Sequence, residues 1–114
     1  MMNFLNKLMS GGAKQINIET YLQDYYKQSN HILIDVRTVG EFKTGHLPNA
    51  KNIPLNEISA KLSNIPKNKT VVVVCQTGSR SNFAARTLKQ AGYEDVINLS
   101  GGTSRWQRMG HPLK

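Results

Sequence analysis

The chain has 114 residues, 39% of them apolar and 19% charged, which fits one globular domain with a core of its own. Its single cysteine excludes an intrachain disulfide, a CxxC redox pair and a cysteine-rich zinc cluster, and the missing staples suit a reducing, cytoplasmic setting. The net charge of +8 sits on scattered lysines and arginines with no stripe alternating with aromatics, so it predicts a solvated basic surface that favours small anions and takes no nucleic acid.

In chain order, residues 1–13 are expected to be a flexible N-terminal tail and residues 14–114 the domain. The opening "MMNFLNKLMSGGAK" carries Phe4, Leu5, Leu8 and Met9, but Lys7 interrupts them and the run is too short for a signal segment. No stretch approaches the length of a membrane span. A weak strand surrounds Ile16, followed by a helix whose face is Ile18, Leu22 and Tyr25. The run "HILIDV" (31–36) is β-branched and nearly continuous, and so predicts a strand buried on both faces. After it, His46 in "GHLP" reads as a residue that fixes a turn. The stretch "AKNIPL" (50–55) is another weak strand. Ile58, Leu62 and Ile65 share a helical face, with Asn56 as expected N-cap and Pro66 beyond the end. "TVVVVC" (70–75) and "DVINLS" (95–100) are the remaining buried strands. Between them Ala84, Leu88 and Ala91 line one face of a helix, with Gly92 at its C-terminal end.

Strands alternating with helices predict an α/β fold, a mostly parallel sheet with helices on both faces. Ligands of such sheets bind at the C-terminal edge of the strands. That edge holds Asp35 at one strand end and Cys75 at another.

"CQTGSR", Cys75 to Arg80, joins a strand to a helix expected to start near Ser79 or Arg80, with Ser79 or Ser81 as its N-cap. A tight turn of this kind aims successive backbone N–H groups inward and forms an anion-binding nest. Gly78 supplies the residue able to take φ > 0. A thiol in that cradle loses its proton readily, since cysteines at helix N-termini or beside cations have pKa values of about 3.5–7.5. The helix dipole alone supplies about 0.3–1 kcal/mol, so N–H hydrogen bonds and Arg80 are expected to add the rest. The competing reading, a buried cysteine packing as a small hydrophobe, fits less well because Cys75 follows the apolar run and precedes a polar loop. Cysteine phosphatases and arsenate reductases space Cys and Arg one residue further apart, around a tetrahedral oxyanion. Four intervening residues, Gln76 to Ser79, make a smaller cradle that suits one extra sulfur atom.

Four motifs in register carry a family resemblance: "LIDVR" with "EF" and "GHLPNA" (33–50), "NIPL" (52–55), "VVVVCQTGSRS" (71–81) and "NLSGGTSRW" (98–106). Over roughly residues 16–113 the chain resembles the single-domain rhodaneses, the thiosulfate sulfurtransferase family. The resemblance implies a five-stranded, mostly parallel central sheet and a catalytic persulfide on Cys75. It implies that Gln76, Thr77, Gly78, Ser79 and Arg80 bind the substrate, their N–H groups holding the persulfide anion and Arg80 the anionic donor. Asp35 and Arg37 would orient loops by a salt bridge or hydrogen bonds. Gly101 and Gly102 would allow close backbone packing, and Trp106 would anchor a helix. Asn49 replaces a common glycine, and Thr103 stands where an apolar residue is usual. The expected partners are a small anionic sulfur donor, a thiol or cyanide acceptor and a sulfur-relay protein; the alternative functions are a persulfide relay that takes sulfur from a desulfurase, and a non-catalytic binding module. The expected protein is a monomer needing no cofactor or metal.

Overall fold

The computed structural model describes residues 13–114, so the expected tail lies outside the described residues except for Ala13. Five strands form one sheet: β1 (Lys14–Ile16), β2 (His31–Asp35), β3 (Lys51–Asn52), β4 (Thr70–Val74) and β5 (Val96–Leu99). Their spatial order is β1-β5-β4-β2-β3, and all four pairings are parallel. The connections carry α1 (Ile18–Asp24), α2 (Val39–Lys43), two 3₁₀ segments (Leu55–Glu57 and Ser59–Asn64), α3 (Ser79–Gln90) and α4 (Gly102–Arg108).

The valine run shows why the sheet is buried on both sides. Val71 and Val73 pack with Ala84, Ala85 and Leu88 of α3 and with Ile58 and Ile65. Val72 and Val74 point the other way, against Ile18 and Tyr21 of α1 and Trp106 of α4. Side chains alternate along a strand, so an unbroken apolar run is what a sheet covered on both faces requires. Cys75 follows the parity of Val71 and Val73 and lies on the α3 side.

Local sequence sets the element ends. The Asn17 side chain accepts from Thr20 N at 2.8 Å and caps α1. Thr38 and Glu41 close a capping box on α2. Residues 58–65 depart from the expected α-helix. Ile58 and Ile65 are buried as expected, but no side chain caps the segment, and Asn56 lies exposed inside the first 3₁₀ turn. The N–H groups therefore bond three residues back, as in Ile58 to Leu55 and Lys61 to Ile58. Pro54 and its neighbours likewise limit β3 to two residues. In α1 the buried face is Ile18 and Tyr21, and Leu22 and Tyr25 are partly buried. Asn49 takes φ 66°, the left-handed conformation asparagine tolerates.

The turn before α4 is the tightest backbone contact near the sheet edge. A Cβ on Gly102 would lie 2.4 Å from Cys75 O and 2.6 Å from Gln76 O, and the residue has φ 61°. Gly40, inside α2, has nothing within 4 Å. Gly102→Ala is therefore expected to destabilise the fold by at least about 2 kcal/mol, whereas Gly40→Ala should stabilise it by about 0.5–1 kcal/mol. Urea unfolding of the two variants beside the parent checks both signs.

Candidate active site

Cys75 leaves the end of β4 at the C-terminal edge of the sheet, and its residue is 1% exposed. Three features fix the loop that follows. Gly78 takes φ 112°, which turns the chain into α3 and makes it the N-cap of that helix. Ser79 and Ser81, the expected capping side chains, leave that role to Gly78, and no side chain caps the helix. Behind the loop, the start of α4 donates Thr103 N to Cys75 O at 2.9 Å and Ser104 N to Gln76 O at 3.0 Å. The Thr103 hydroxyl adds a hydrogen bond to Cys75 O at 3.2 Å, which accounts for a polar residue at that buried position.

The sulfur sits among donors. Gly78 N–H points at Cys75 Sγ from 3.1 Å, and Ser81 Oγ lies 3.4 Å away. Burial pushes the thiol's pKa up. The Ser81 hydroxyl and the backbone N–H groups of Ser81, Gly78 and Thr77 outweigh that burial, so the thiol lies below its ordinary value. Thr77 and Ser79 are exposed beside it.

Arg80 is held by Glu41. The pair is bidentate, Nη1 to Oε1 at 2.7 Å and Nη2 to Oε2 at 2.9 Å, between side chains 38% and 35% exposed. The bond to Arg80 draws the Glu41 carboxyl down to about 2. Glu41 in turn raises the Arg80 pKa, opposed by desolvation and aided by Cys75 and Asp35. The cation at the end of the loop thus arrives already paired.

Asp35 and Arg37 form the buried counterpart of that pair. Asp35 is 0% and Arg37 2% exposed. Arg37 Nη2 meets Asp35 Oδ2 at 2.8 Å, Nε meets both carboxylate oxygens at 3.1 Å, and Arg37 N donates to Oδ1 at 2.9 Å. The rest of the guanidinium reaches outward, Nη2 to Gly45 O at 2.8 Å and Nη1 to Gln76 Oε1 at 3.2 Å. Gln76 then passes the contact on, donating Nε2 to Ser104 Oγ at 2.8 Å. His46 lies on the same stretch as Gly45. Its Nδ1 is 2.9 Å from Leu47 O, and its ring stacks on Phe42 with centroids 3.8 Å apart. Trp106 is fully buried and donates Nε1 to Pro112 O at 2.8 Å, tying the end of α4 to the C-terminal segment.

All the sequence-predicted site residues meet at one edge: Cys75, Gln76, Thr77, Gly78, Ser79 and Arg80 in the loop, Asp35 and Arg37 behind it. Three further residues escaped the sequence reading. Glu41 had a signal, because "TVGE" at 38–41 is a capping-box pattern that places a carboxylate at the start of a short helix. Ser81 was weighed as a cap alone, and its contact with sulfur depends on the pitch of α3. Asn98 is a polar residue within an apolar strand, and it touches Ser81.

Two grooves flank the loop. One, of about 300 Å³, is polar and is lined by Gln15, Gly78, Asn98 and Gly101. The other, of about 390 Å³, is lined by Val36, Pro54, Leu55, Arg80 and Phe83. A separate pocket of about 370 Å³ lies by the N-terminal ends of β2 and β4, with Lys27, His31, Lys51 and Lys69 on its walls, and no loop residue reaches it. Among the described residues no three His, Cys, Asp or Glu side chains gather as a metal site, and no helix is long and apolar enough to cross a membrane.

Residues 19–109 match the rhodanese-like domain family. A protein of Allochromatium vinosum named a sulfurtransferase is 37% identical over 101 residues, covering 89% of this chain and 94% of that protein. A putative sulfur carrier protein of Bacillus subtilis is 32% identical over 92 residues, and the match spans 81% of this chain and half, 50%, of that protein. Among solved structures, a rhodanese-related protein from Thermoplasma volcanium superposes with a TM-score of 0.80 at 28% identity, over 89% of this chain and 97% of that one. A rhodanese-like domain protein from Staphylococcus aureus gives 0.78 at 32% identity, over 89% and 96%.

The Glu41 carboxyl has a folded pKa lowered from 4.5 to about 2, so its contribution to stability is present above pH 4.5 and is lost as pH falls toward 2. Because both partners are more than a third exposed or close to it, screening limits the pair to about 0.5 kcal/mol. Urea unfolding is expected to show Glu41→Gln slightly less stable than the parent at pH 7, with the gap closing near pH 2.

Proposed function

The chain belongs to the rhodanese-like domain family, and we propose that it moves a sulfane sulfur from donor to acceptor through a persulfide on Cys75. Sulfur transfer in general is supported by the family and by relatives named for sulfur transfer and sulfur carriage. The observation that carries the finer reading is the Cys75 thiol ringed by Ser81, Gly78 and Thr77 donors and held below its ordinary pKa.

With thiosulfate as donor, the Cys75 thiolate attacks the outer sulfur. A new S–S bond forms to Cys75, the bond to the sulfonate sulfur breaks, and sulfite departs with its electron pair. The product Cys75–S–S⁻ carries its charge one atom further out, toward the loop in which Thr77 and Ser79 are exposed. A thiol or cyanide then attacks that outer sulfur and returns the thiolate. Two half-reactions through a covalent intermediate give ping-pong kinetics. The buried Asp35–Arg37 pair serves this chemistry indirectly, by fixing Gln76 and so the first residue of the loop.

A second reading, a relay that takes sulfur from a protein donor, is favoured by the surroundings of Arg80. Glu41 already answers its charge, so little is left for a small dianion. The adjoining groove is apolar, and Val39 and Phe83 stand exposed on α2 and α3, the elements that carry Glu41 and Arg80. Such a surface fits a protein partner better than it fits thiosulfate.

Intact-mass measurement after incubation with thiosulfate is expected to show one added sulfur on the parent and none on Cys75→Ala. No adduct with thiosulfate but one with a protein persulfide would assign the relay; no adduct with either would overturn the persulfide reading. Steady-state kinetics separate the role of Arg80. Arg80→Ala should raise KM for thiosulfate roughly tenfold, because it leaves the Glu41 carboxylate unanswered beside the loop, while Glu41→Gln, which frees the Arg80 charge, should lower it.

A further inference from the structure

We propose that Asn98 is a positioning residue for the Cys75 thiol, acting through the single proton of the Ser81 hydroxyl. The inference rests on Cys75 being the reactive group and adds how its resting state is set.

Asn98 is 2% exposed in β5, where Val96, Ile97 and Leu99 are apolar. A buried amide in such a strand must find partners for both ends. Its Nδ2 donates to Gly78 O at 3.2 Å and to Gln15 Oε1 at 2.8 Å. A backbone carbonyl can only accept, so the amide nitrogen has to face Gly78. The Oδ1 atom is thereby turned to Ser81 Oγ, 2.5 Å away. Gln15 is held in turn, with Nε2 donating to Asn82 Oδ1 at 2.9 Å and Ser100 Oγ bonding its Oε1 at 3.0 Å.

Ser81 has one proton and three acceptors within reach: Asn98 Oδ1 at 2.5 Å, Gly78 O at 3.2 Å and Cys75 Sγ at 3.4 Å. Gly78 O is already served by Asn82 N and Asn98 Nδ2. The contest is therefore between Asn98 and the sulfur. While Cys75 is a thiol, its S–H donates to Ser81 Oγ and Ser81 donates to Asn98. Once the sulfur is a thiolate it needs that hydroxyl proton, and Asn98 Oδ1 is left without its donor. The cost falls on the thiolate alone, so Asn98 keeps the sulfur more basic and more nucleophilic than the N–H cradle would leave it. When a second sulfur is added, the negative charge moves outward and the Ser81 proton is free to return to Asn98. No atom is transferred in this step, and the hydroxyl rotor alone turns.

Charged groups on the elements around Cys75 are engaged elsewhere. Arg80 pairs with Glu41, Arg37 with Asp35 and Lys61 with Glu57, while Arg105 of α4 is exposed. None of them bonds Ser81 or Asn98, so the hydroxyl proton is contested by the Asn98 amide oxygen and the sulfur.

The test is a spectroscopic pH titration of the thiolate, which the chain's single cysteine makes unambiguous. It is run without any sulfur donor, so failure here is distinct from failure to form a persulfide. Asn98→Leu removes the competing acceptor, while Gly78 O keeps Asn82 N and Gln15 Oε1 keeps Ser100. At a given pH within the transition its thiolate-to-thiol ratio should rise about fivefold, the worth of the neutral Ser81–Asn98 hydrogen bond that only the thiol form keeps. In a Ser81→Ala background the same substitution should change nothing, an outcome that a general loosening of the loop would not produce. Gln15→Ala, at an exposed residue, removes one of the two acceptors that hold the Asn98 amide nitrogen, loosens its grip on Ser81 and should give a smaller rise. It carries the test if Asn98→Leu does not fold. An unchanged or lower ratio in either variant, or a rise that persists without the Ser81 hydroxyl, overturns the proposal.

Discussion

A buried ion pair sets the geometry of the whole active edge. Asp35 ends β2 and Arg37 follows two residues later, and neither can relax into water. Two charges taken out of solvent persist only when every donor and lone pair is answered, and removing one partner of such a pair costs about 3–5 kcal/mol. Here the surplus donors of Arg37 find Gly45 O on one side and Gln76 Oε1 on the other. The requirement to satisfy one guanidinium thus joins the end of β2, the turn before His46 and the first residue after Cys75. Gln76 extends the link to Ser104 in α4, whose backbone already holds the carbonyls of Cys75 and Gln76. With its carbonyl side fastened this way, the loop has its N–H side left to face the sulfur.

The site stabilises negative charge mainly with neutral dipoles. The groups that favour the thiolate are a hydroxyl and three backbone N–H groups, while the arginine at the end of the loop is paired with a carboxylate. Fixed dipoles of this kind need no counter-ion. They also leave the field at the mouth weak, which matters more for a small dianion than for a macromolecular donor that brings its own contact surface.

Much of this arrangement was legible in the residues. The valine run announced a strand covered on both faces, and the register of β2 with β4 does place Asp35 beside Val74. Gly102 was marked as a point of close backbone approach, and its neighbours are the carbonyls of Cys75 and Gln76. What the sequence hid was long-range pairing. Glu41 and Arg80 are far apart in sequence; Arg80 reads as a cation of the loop, and nothing local names the carboxylate that answers it. Asn98 carries no signal beyond being polar within an apolar strand, because nothing local says that Gly78 and Ser81 lie across from it. The Ile58–Ile65 segment failed for another reason: spacing reports which residues are buried, not whether the backbone bonds three or four residues back.

The first strand of the domain pairs with the last. Lys14 to Ile16 lie against Ile97 to Leu99, so during synthesis β1 emerges early and waits for almost the entire domain before its partner exists. Contacts across so much sequence are the slowest to close. Gln15 of β1 also holds the amide of Asn98, which means the polar chain leading to the cysteine stays open until that edge strand docks. The sulfur's full set of polar neighbours is therefore present only where β1 has docked on β5, so an edge strand remote from Cys75 in sequence is part of what surrounds the thiol.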